Sequence, residues 1–207
     1  MSDMTDELLT NMKSTGASRY NASKRLEERE RGLTRLTAFT SAYLIGLTVL
    51  PYFIPLPVGA DDRLNLLTFA LGVVILVASL LQYSAGDGVK AEQHYRCGLE
   101  IGEMRRRLKI RRDTITDDEL VDVADAYALV LQKYSINHDQ TDFDQYRIER
   151  SDEAKKLKWW ERIWIPIRMT VERHLATICL GAMTLLTLWL VAAIIGPAWT
   201  LAAPAAG

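Results

Sequence analysis

The segment INHDQTDFDQY, residues 136–146, contains the side chains that most resemble a catalytic or metal-binding site in this chain. Four potential ligands lie close together in it, namely His138, Asp139, Asp142 and Asp144. Imidazole and carboxylate groups hold the metal ions that activate water, so a metal-dependent hydrolase at His138, Asp139 and Asp142 is one hypothesis. Such a site needs three or four ligands, usually including more than one His or Cys. The whole chain has three His and two Cys.

The remaining His and Cys residues do not complete a site at a convincing spacing. His94 and Cys97 are three positions apart, but both fall on an apolar helical stripe, where a packed core position is more common than metal ligation. His174 lies at the start of a hydrophobic stretch. His138 and Asp142 are spaced as neighbours on one helix face, which predicts a structural hydrogen-bonded pair. We therefore expect no enzyme activity, no metal site and no cofactor.

Three long stretches of the chain contain no charged residue, at 36–60, 64–86 and 175–207. The mean hydropathy is −0.00 although 25% of the residues are charged, so apolar and charged residues are segregated. A bilayer core needs about 20 apolar residues in a helix, and helices satisfy their own backbone hydrogen bonds there. We predict an all-α integral membrane protein.

The predicted architecture is a membrane-spanning helical hairpin that continues into a cytosolic helical bundle, with a third transmembrane helix at the C-terminal end. The predicted segments are a cytosolic N-terminal helix at 1–35, transmembrane helices at 36–58 and 64–85, a cytosolic helical region at 86–154, an interfacial segment at 155–174 and a transmembrane helix at 175–199. The interfacial segment is basic and Trp-rich, as is typical of chains that lie among lipid headgroups. It could equally be the start of a tilted span.

The distribution of Lys and Arg predicts the orientation of these spans. Basic residues are concentrated before the first stretch, after the second and before the third, whereas Arg63 alone lies between the first two. Cytoplasmic flanks carry the excess of Lys and Arg, so we expect a multi-pass inner-membrane protein with a cytoplasmic N-terminus. The basic run at 105–112 has no Gly-rich loop and no interleaved aromatic residues, so we expect no direct nucleic-acid binding.

Helical stripes predict how the cytosolic bundle packs. Thr116 and Glu119 have the spacing of a capping box at the start of a helix. Coiled-coil-like spacings occur in three places. Before the first span they are Ala22, Leu26, Arg29, Leu33 and Leu36, in which Arg29 is the one charged interruption. After the second span they are His94, Cys97, Ile101, Met104 and Leu108, and within the capped helix they are Leu120, Ala124, Tyr127, Leu131 and Tyr134.

The order of these features resembles the SLATT family, the SMODS- and SLOG-associating two-transmembrane effectors of bacteria. The similar pieces are RYNASKRL at 19–26, the two-span hairpin and YSINHDQTDFDQY at 134–146, and the resemblance covers roughly residues 15–150. It implies that a set of signature residues has a structural or gating role in the bundle: Arg19, Tyr20, Arg25, Tyr134, Asn137, His138 and Asp142.

The resemblance also implies a function in bacterial conflict, including antiviral defence against phage. Family members are thought to form pores or disrupt the membrane of an infected cell, which amounts to cell suicide. Their partners make or bind nucleotide signals, or are reverse transcriptases. Because three helices cannot enclose a water-filled path, a pore would require a homo-oligomer in the lipid bilayer, and the candidate lining residues are Asn65, Thr68, Ser79 and Gln82. The alternative is a non-conducting membrane scaffold that recruits a soluble enzyme.

Overall fold

The computed structural model describes residues 2–54, 56, 58–136, 139–149 and 158–201, and every regular element in these ranges is a helix. The predicted all-α fold is therefore confirmed. The helices are α1 (Ser2–Phe53), α2 (Ala60–Ala85), α3 (Asp87–Ile110), α4 (Asp117–Tyr134), α5 (Gln140–Glu149) and α6 (Trp159–Leu201). The chain divides into a first unit, Met1–Glu28 with Gly86–Arg173, and a second unit, Arg29–Ala85 with His174–Gly207.

Two helices are longer than the predicted segments. The predicted cytosolic helix at 1–35 and the first span form one helix, which contains Pro51 and ends at Phe53 rather than at residue 58. Prolines at 51, 55 and 57 cannot donate a backbone hydrogen bond, which explains the end of the helix. The described part of the interfacial segment, from residue 158, likewise joins the third span within α6. Residues 155–157 lie outside the described residues.

The first unit is built around an apolar core that α1, α3 and α4 supply. Its buried members include Met12, Ile101 and Leu120. The predicted stripes of α3 and α4 face this core, and Tyr127 and Tyr134 pack against it. The predicted capping box is present: the Thr116 hydroxyl accepts the Glu119 backbone N–H at 3.4 Å, and the Glu119 carboxylate accepts the Thr116 N–H at 3.1 Å. The helical stripes and the capping box that the sequence predicts therefore correspond to the packing and the helix start observed in the first unit.

The second unit contains the apolar parts of α1, α2 and α6. Leu47, Leu64 and Leu71 are buried at its centre. Met183 of α6 packs against them. The Tyr43 and Thr184 hydroxyls lie 3.0 Å apart. Many of its outward-facing side chains are apolar and exposed, as a bilayer requires.

Three helices in the described residues are long and apolar enough to cross a membrane: α1, the run from Ala60 to Ile110, and His174–Ala193 within α6. The predicted membrane hairpin with a third span is thus confirmed as a fold.

At Gly86, between α2 and α3, the backbone has a φ of 58°, in the left-handed region that glycine adopts at little cost.

Candidate functional site

The centre of the candidate site is an ion pair between Arg25 of α1 and Asp142 of α5. Arg25 Nε donates to Asp142 Oδ1 at 2.9 Å, and Arg25 Nη2 donates to Asp142 Oδ2 at 3.0 Å. The same Nη2 donates to Asp139 Oδ2 at 2.7 Å. The Asp142 side chain is 1% exposed and that of Arg25 is 16% exposed. This is a bidentate, largely buried arginine–carboxylate pair, which combines strength with a defined geometry. We call it the Arg25–Asp142 latch.

The start of α5 positions the aspartate of the latch. Asp142 Oδ2 accepts the backbone N–H of Asp139 at 3.1 Å, so one carboxylate caps the helix and binds Arg25. A negative charge in the first helical turn is also favoured by the helix dipole. From α1, Asn21 Nδ2 donates to the backbone oxygen of Asp142 at 3.4 Å. The first turn of α5 is therefore bound to α1 through both side chain and backbone.

Arg25 remains a cation in this environment. Burial lowers the pKa of Arg25, but the hydrogen bonds and charges of Asp142 and Asp139 outweigh burial and raise it. Asp139 and Asp142 form an ion-pair site with Arg25. Among the residues described, no group of three or more His, Cys, Asp or Glu side chains could hold a metal ion. His138, the third residue of the metal hypothesis, lies outside them.

Arg19, one helical turn and a half before Arg25, attaches α1 to the end of α4. Its side chain is buried, and Nη1 donates to the backbone oxygen of Ile136. The same nitrogen lies 3.3 Å from Nδ1 of the buried His94. A guanidinium has donors only, so Nδ1 of His94 is the acceptor in this contact. Arg19 Nε has no hydrogen-bond partner among the described residues.

Tyr20 and Tyr134 lie at the edges of the same region. The Tyr20 ring is 6.2 Å from the Tyr95 ring of α3, and Lys24 Nζ lies 4.6 Å above it. Tyr134 donates its hydroxyl hydrogen to Glu100 at 2.7 Å. Tyr20 therefore connects α1 to α3 through its ring, which also faces the Lys24 ammonium group. Tyr134 connects α4 to α3 through its hydroxyl group, which faces the Glu100 carboxylate.

Lys133 and Tyr134 together determine the protonation of Glu100. Lys133 Nζ lies 2.6 Å from the carboxylate. The hydrogen bond from Lys133, followed by that from Tyr134, lowers the pKa of Glu100 from its usual 4.5. The hydrogen bond to Glu100 conversely raises the pKa of Tyr134. The end of α4 is thus attached to α3 by an ionised carboxylate.

The pH dependence of the Glu100 contribution has a definite sign. Because its pKa is lower in the folded chain, ionised Glu100 stabilises the fold above its usual pKa of 4.5, and this contribution disappears as the pH falls through the folded value. We expect Glu100→Gln to lower the melting temperature slightly at about pH 7, and the difference from the parent to become smaller at about pH 3, below the usual pKa of Glu100. Thermal unfolding followed by circular dichroism at both pH values measures this. A difference of the same size at the lower pH would contradict the assignment.

Four of the signature residues lie at the last turn of α4 or contact the segment that follows it. They are Arg19, Arg25, Tyr134 and Asp142. Asn137 and His138 lie outside the described residues, so the hydrogen-bonded pair of His138 and Asp142 stays a prediction. Two polar contacts were missed by sequence reasoning: His94 was assigned to the core without a role towards Arg19, and Glu100 was not considered. The sequence did indicate that His94 has a polar contact, because an imidazole on an apolar stripe needs a polar partner.

The four candidate pore-lining residues differ in their exposure and in their hydrogen-bond partners. On α2, the buried side chains of Leu64, Leu67 and Leu71 form the packing face, and Asn65 and Ser79 are exposed. Thr68 is half-buried, and its hydroxyl donates to the backbone oxygen of residue 65 at 2.9 Å. Gln82, by contrast, donates to Thr34 Oγ1 of α1 at 2.9 Å, in an exposed hydrogen bond. Asn65 and Ser79 therefore lie on the exposed surface of α2, whereas Gln82 links α2 to α1.

The second unit contains apolar helices long enough to span a membrane, and the first unit contains a buried arginine–aspartate pair, the Arg25–Asp142 latch. These features define an integral membrane protein with a charged helical unit. The chain belongs to the SMODS and SLOG-associating 2TM effector domain family 5, whose family model matches residues 1–194. The resemblance noted from the sequence is thereby confirmed, and the match extends past residue 150 to include the third candidate span. No curated protein and no solved structure matches the chain significantly.

Proposed function

We propose that this protein is the membrane effector of a bacterial conflict system, and that it oligomerises and permeabilises the inner membrane when a partner or a nucleotide signal is sensed. Family membership supports the effector role. The observation that carries the proposal is the continuity of α1, a single helix that holds Arg25 in the first unit and the apolar residues of the first span. Any displacement of α1 at the latch is transmitted along its own backbone.

The latch keeps the effector at rest in this proposal. Removing one partner of a buried ion pair costs about 3–5 kcal/mol, because a buried charge is left uncompensated. Release of the intact pair lets both charged groups reach water, so the signal has only to bind the released arrangement better than the latched one. A protein that competes for Arg25 or for the first turn of α5 would supply that difference. The mechanism contains no catalytic step.

Permeation requires several copies, and two exposed surfaces of the second unit support their association. Ala42 and Gly46 of α1 are exposed, and no atom lies within 4 Å of a Cβ placed on Gly46. Small residues four positions apart allow membrane helices to approach closely. Asn65 and Ser79 on α2 then supply polar groups to a path between subunits. The positive-inside pattern supports a cytoplasmic N-terminus.

Dye release from vesicles tests the permeation. The purified chain, reconstituted with its activating partner, is expected to release a small dye, and the double variant Asn65→Leu with Ser79→Leu is expected to abolish release at equal insertion. Ser84→Leu is the matched control, since Ser84 is exposed on α2 but lies well over 90° around the helix from Ser79. Release by neither protein, together with unchanged membrane potential in triggered cells, would favour the non-conducting scaffold.

A further inference from the structure

A cavity of about 320 Å³ lies between α5 and the first turns of α6, within the first unit. Its lining contains side chains of both charges: Asp144 and Arg147 from α5, and Glu161 and Arg168 from α6. Trp164 and Thr141 contribute an indole ring and a hydroxyl. None of these residues belongs to the Arg25–Asp142 latch, and the pore proposal does not use the cavity. We call it the α5–α6 pocket.

The acidic groups of the pocket already have local donors. Asp144 Oδ1 accepts from Gln140 at 3.1 Å and from Arg147 at 3.5 Å, the latter a long contact. The Glu161 carboxylate accepts the backbone N–H of Lys158 at 2.8 Å. These bonds hold the carboxylates in place and leave each with further acceptor capacity, since an ionised carboxylate has about four lone-pair sites.

Thr141 adds a hydroxyl group to the lining of the pocket. The residue is 5% exposed, and its hydroxyl can donate a hydrogen bond to an anionic group that enters the pocket.

The neighbourhood of the pocket identifies the class of ligand. Trp164 and Arg168 lie on the same helix as the span that begins at His174, within about three turns of it. On that helix, Trp159, Ile163 and Ile167 form an exposed apolar stripe with a spacing of four residues. Tryptophan beside basic residues at the end of a span is typical of the lipid headgroup zone. A phospholipid headgroup is therefore the ligand that we expect near this pocket.

We propose that the α5–α6 pocket binds the headgroup of a zwitterionic phospholipid. The phosphate lies against Arg147, Arg168 and the Thr141 hydroxyl. The ammonium group lies against Asp144 and Glu161, with the Trp164 ring as a further cation-binding surface. Equal numbers of lining cations and carboxylates favour this headgroup over an anionic one, which would face both carboxylates. The inference goes beyond permeation and holds whether or not the protein conducts.

Native mass spectrometry of the full chain in detergent, with added phosphatidylethanolamine or phosphatidylglycerol, tests the pocket. We expect preferential retention of phosphatidylethanolamine. Thr141→Val and Arg168→Gln should each lower that retention by about tenfold, as expected for the loss of a hydrogen bond to a charged group. Thr141→Ser keeps the hydroxyl and should restore retention.

Matched controls distinguish the pocket from general attraction to lipid. Arg162→Gln and Trp159→Leu alter the same helix outside the pocket lining and should leave retention within about twofold of the parent, as is usual for exposed positions. Circular dichroism establishes that each variant is folded. Equal retention of the two lipids, or equal losses in pocket and control variants, would overturn the proposal, whatever the outcome of the dye-release experiment.

Discussion

Replacing Arg25 with alanine is expected to destabilise the first unit by about 3–5 kcal/mol. The change leaves the Asp142 carboxylate, 1% exposed, without the guanidinium that binds both of its oxygens. Amide hydrogen exchange in detergent measures the effect directly, and protection in α5 should fall first because its first turn is bound to α1. In cells, the same variant should permeabilise the membrane without a signal.

The matched control for this prediction is another arginine–carboxylate pair in the first unit. Arg96 and Glu92 form a 2.6 Å pair, but their side chains are 66% and 55% exposed. Exposed pairs contribute little because water and salt screen them, so Arg96→Ala should leave exchange nearly unchanged. Arg25→Lys, which keeps the positive charge but cannot bind both oxygens of Asp142 in the same bidentate geometry, should retain more protection than Arg25→Ala. Equal behaviour of Arg25→Ala and Arg96→Ala would show that the latch does not hold α5.

Truncating Ile101 to alanine is the second large expected effect, a loss of about 2–5 kcal/mol. Ile101 is 0% exposed in the core of the first unit. Its Cγ2 lies 3.5 Å from the position a Cβ would take on Gly16, so α1 packs directly on this side chain. Truncation leaves a cavity that two rigid helices cannot close. Thermal unfolding and exchange protection of α3 and α1 are the measurements.

Leu99→Ala provides the control for Ile101→Ala. Leu99 lies two positions away on the same helix and is 56% exposed, so its truncation should change the free energy of unfolding by less than about 0.5 kcal/mol. If both truncations had the same small effect, α1 and α3 would not be packed in solution as described.

The sequence alone was sufficient to predict the helices and the candidate membrane-spanning segments. Uncharged stretches of bilayer length, the Thr116–Glu119 cap and the stripe containing Cys97 and Ile101 are local patterns, and each corresponds to an element of the structure. Such patterns are readable because backbone hydrogen bonding and helical periodicity act over a few residues. The segment boundaries inferred from composition do not coincide with helix ends, since α1 and α6 continue through them.

Only the tertiary structure revealed the ion pair between Asp142 and Arg25, which are 117 positions apart. Sequence spacing predicted a hydrogen bond from His138, four positions before Asp142, and that residue lies outside the described residues. Arg25 and Asp142 both belonged to the predicted signature, but no local rule joins a charge on α1 to one on α5. Their pairing depends on the packing of α1 and α5 within one unit. A buried charge takes its partner from whatever the fold places beside it, because the free-energy cost of leaving it unpaired is large.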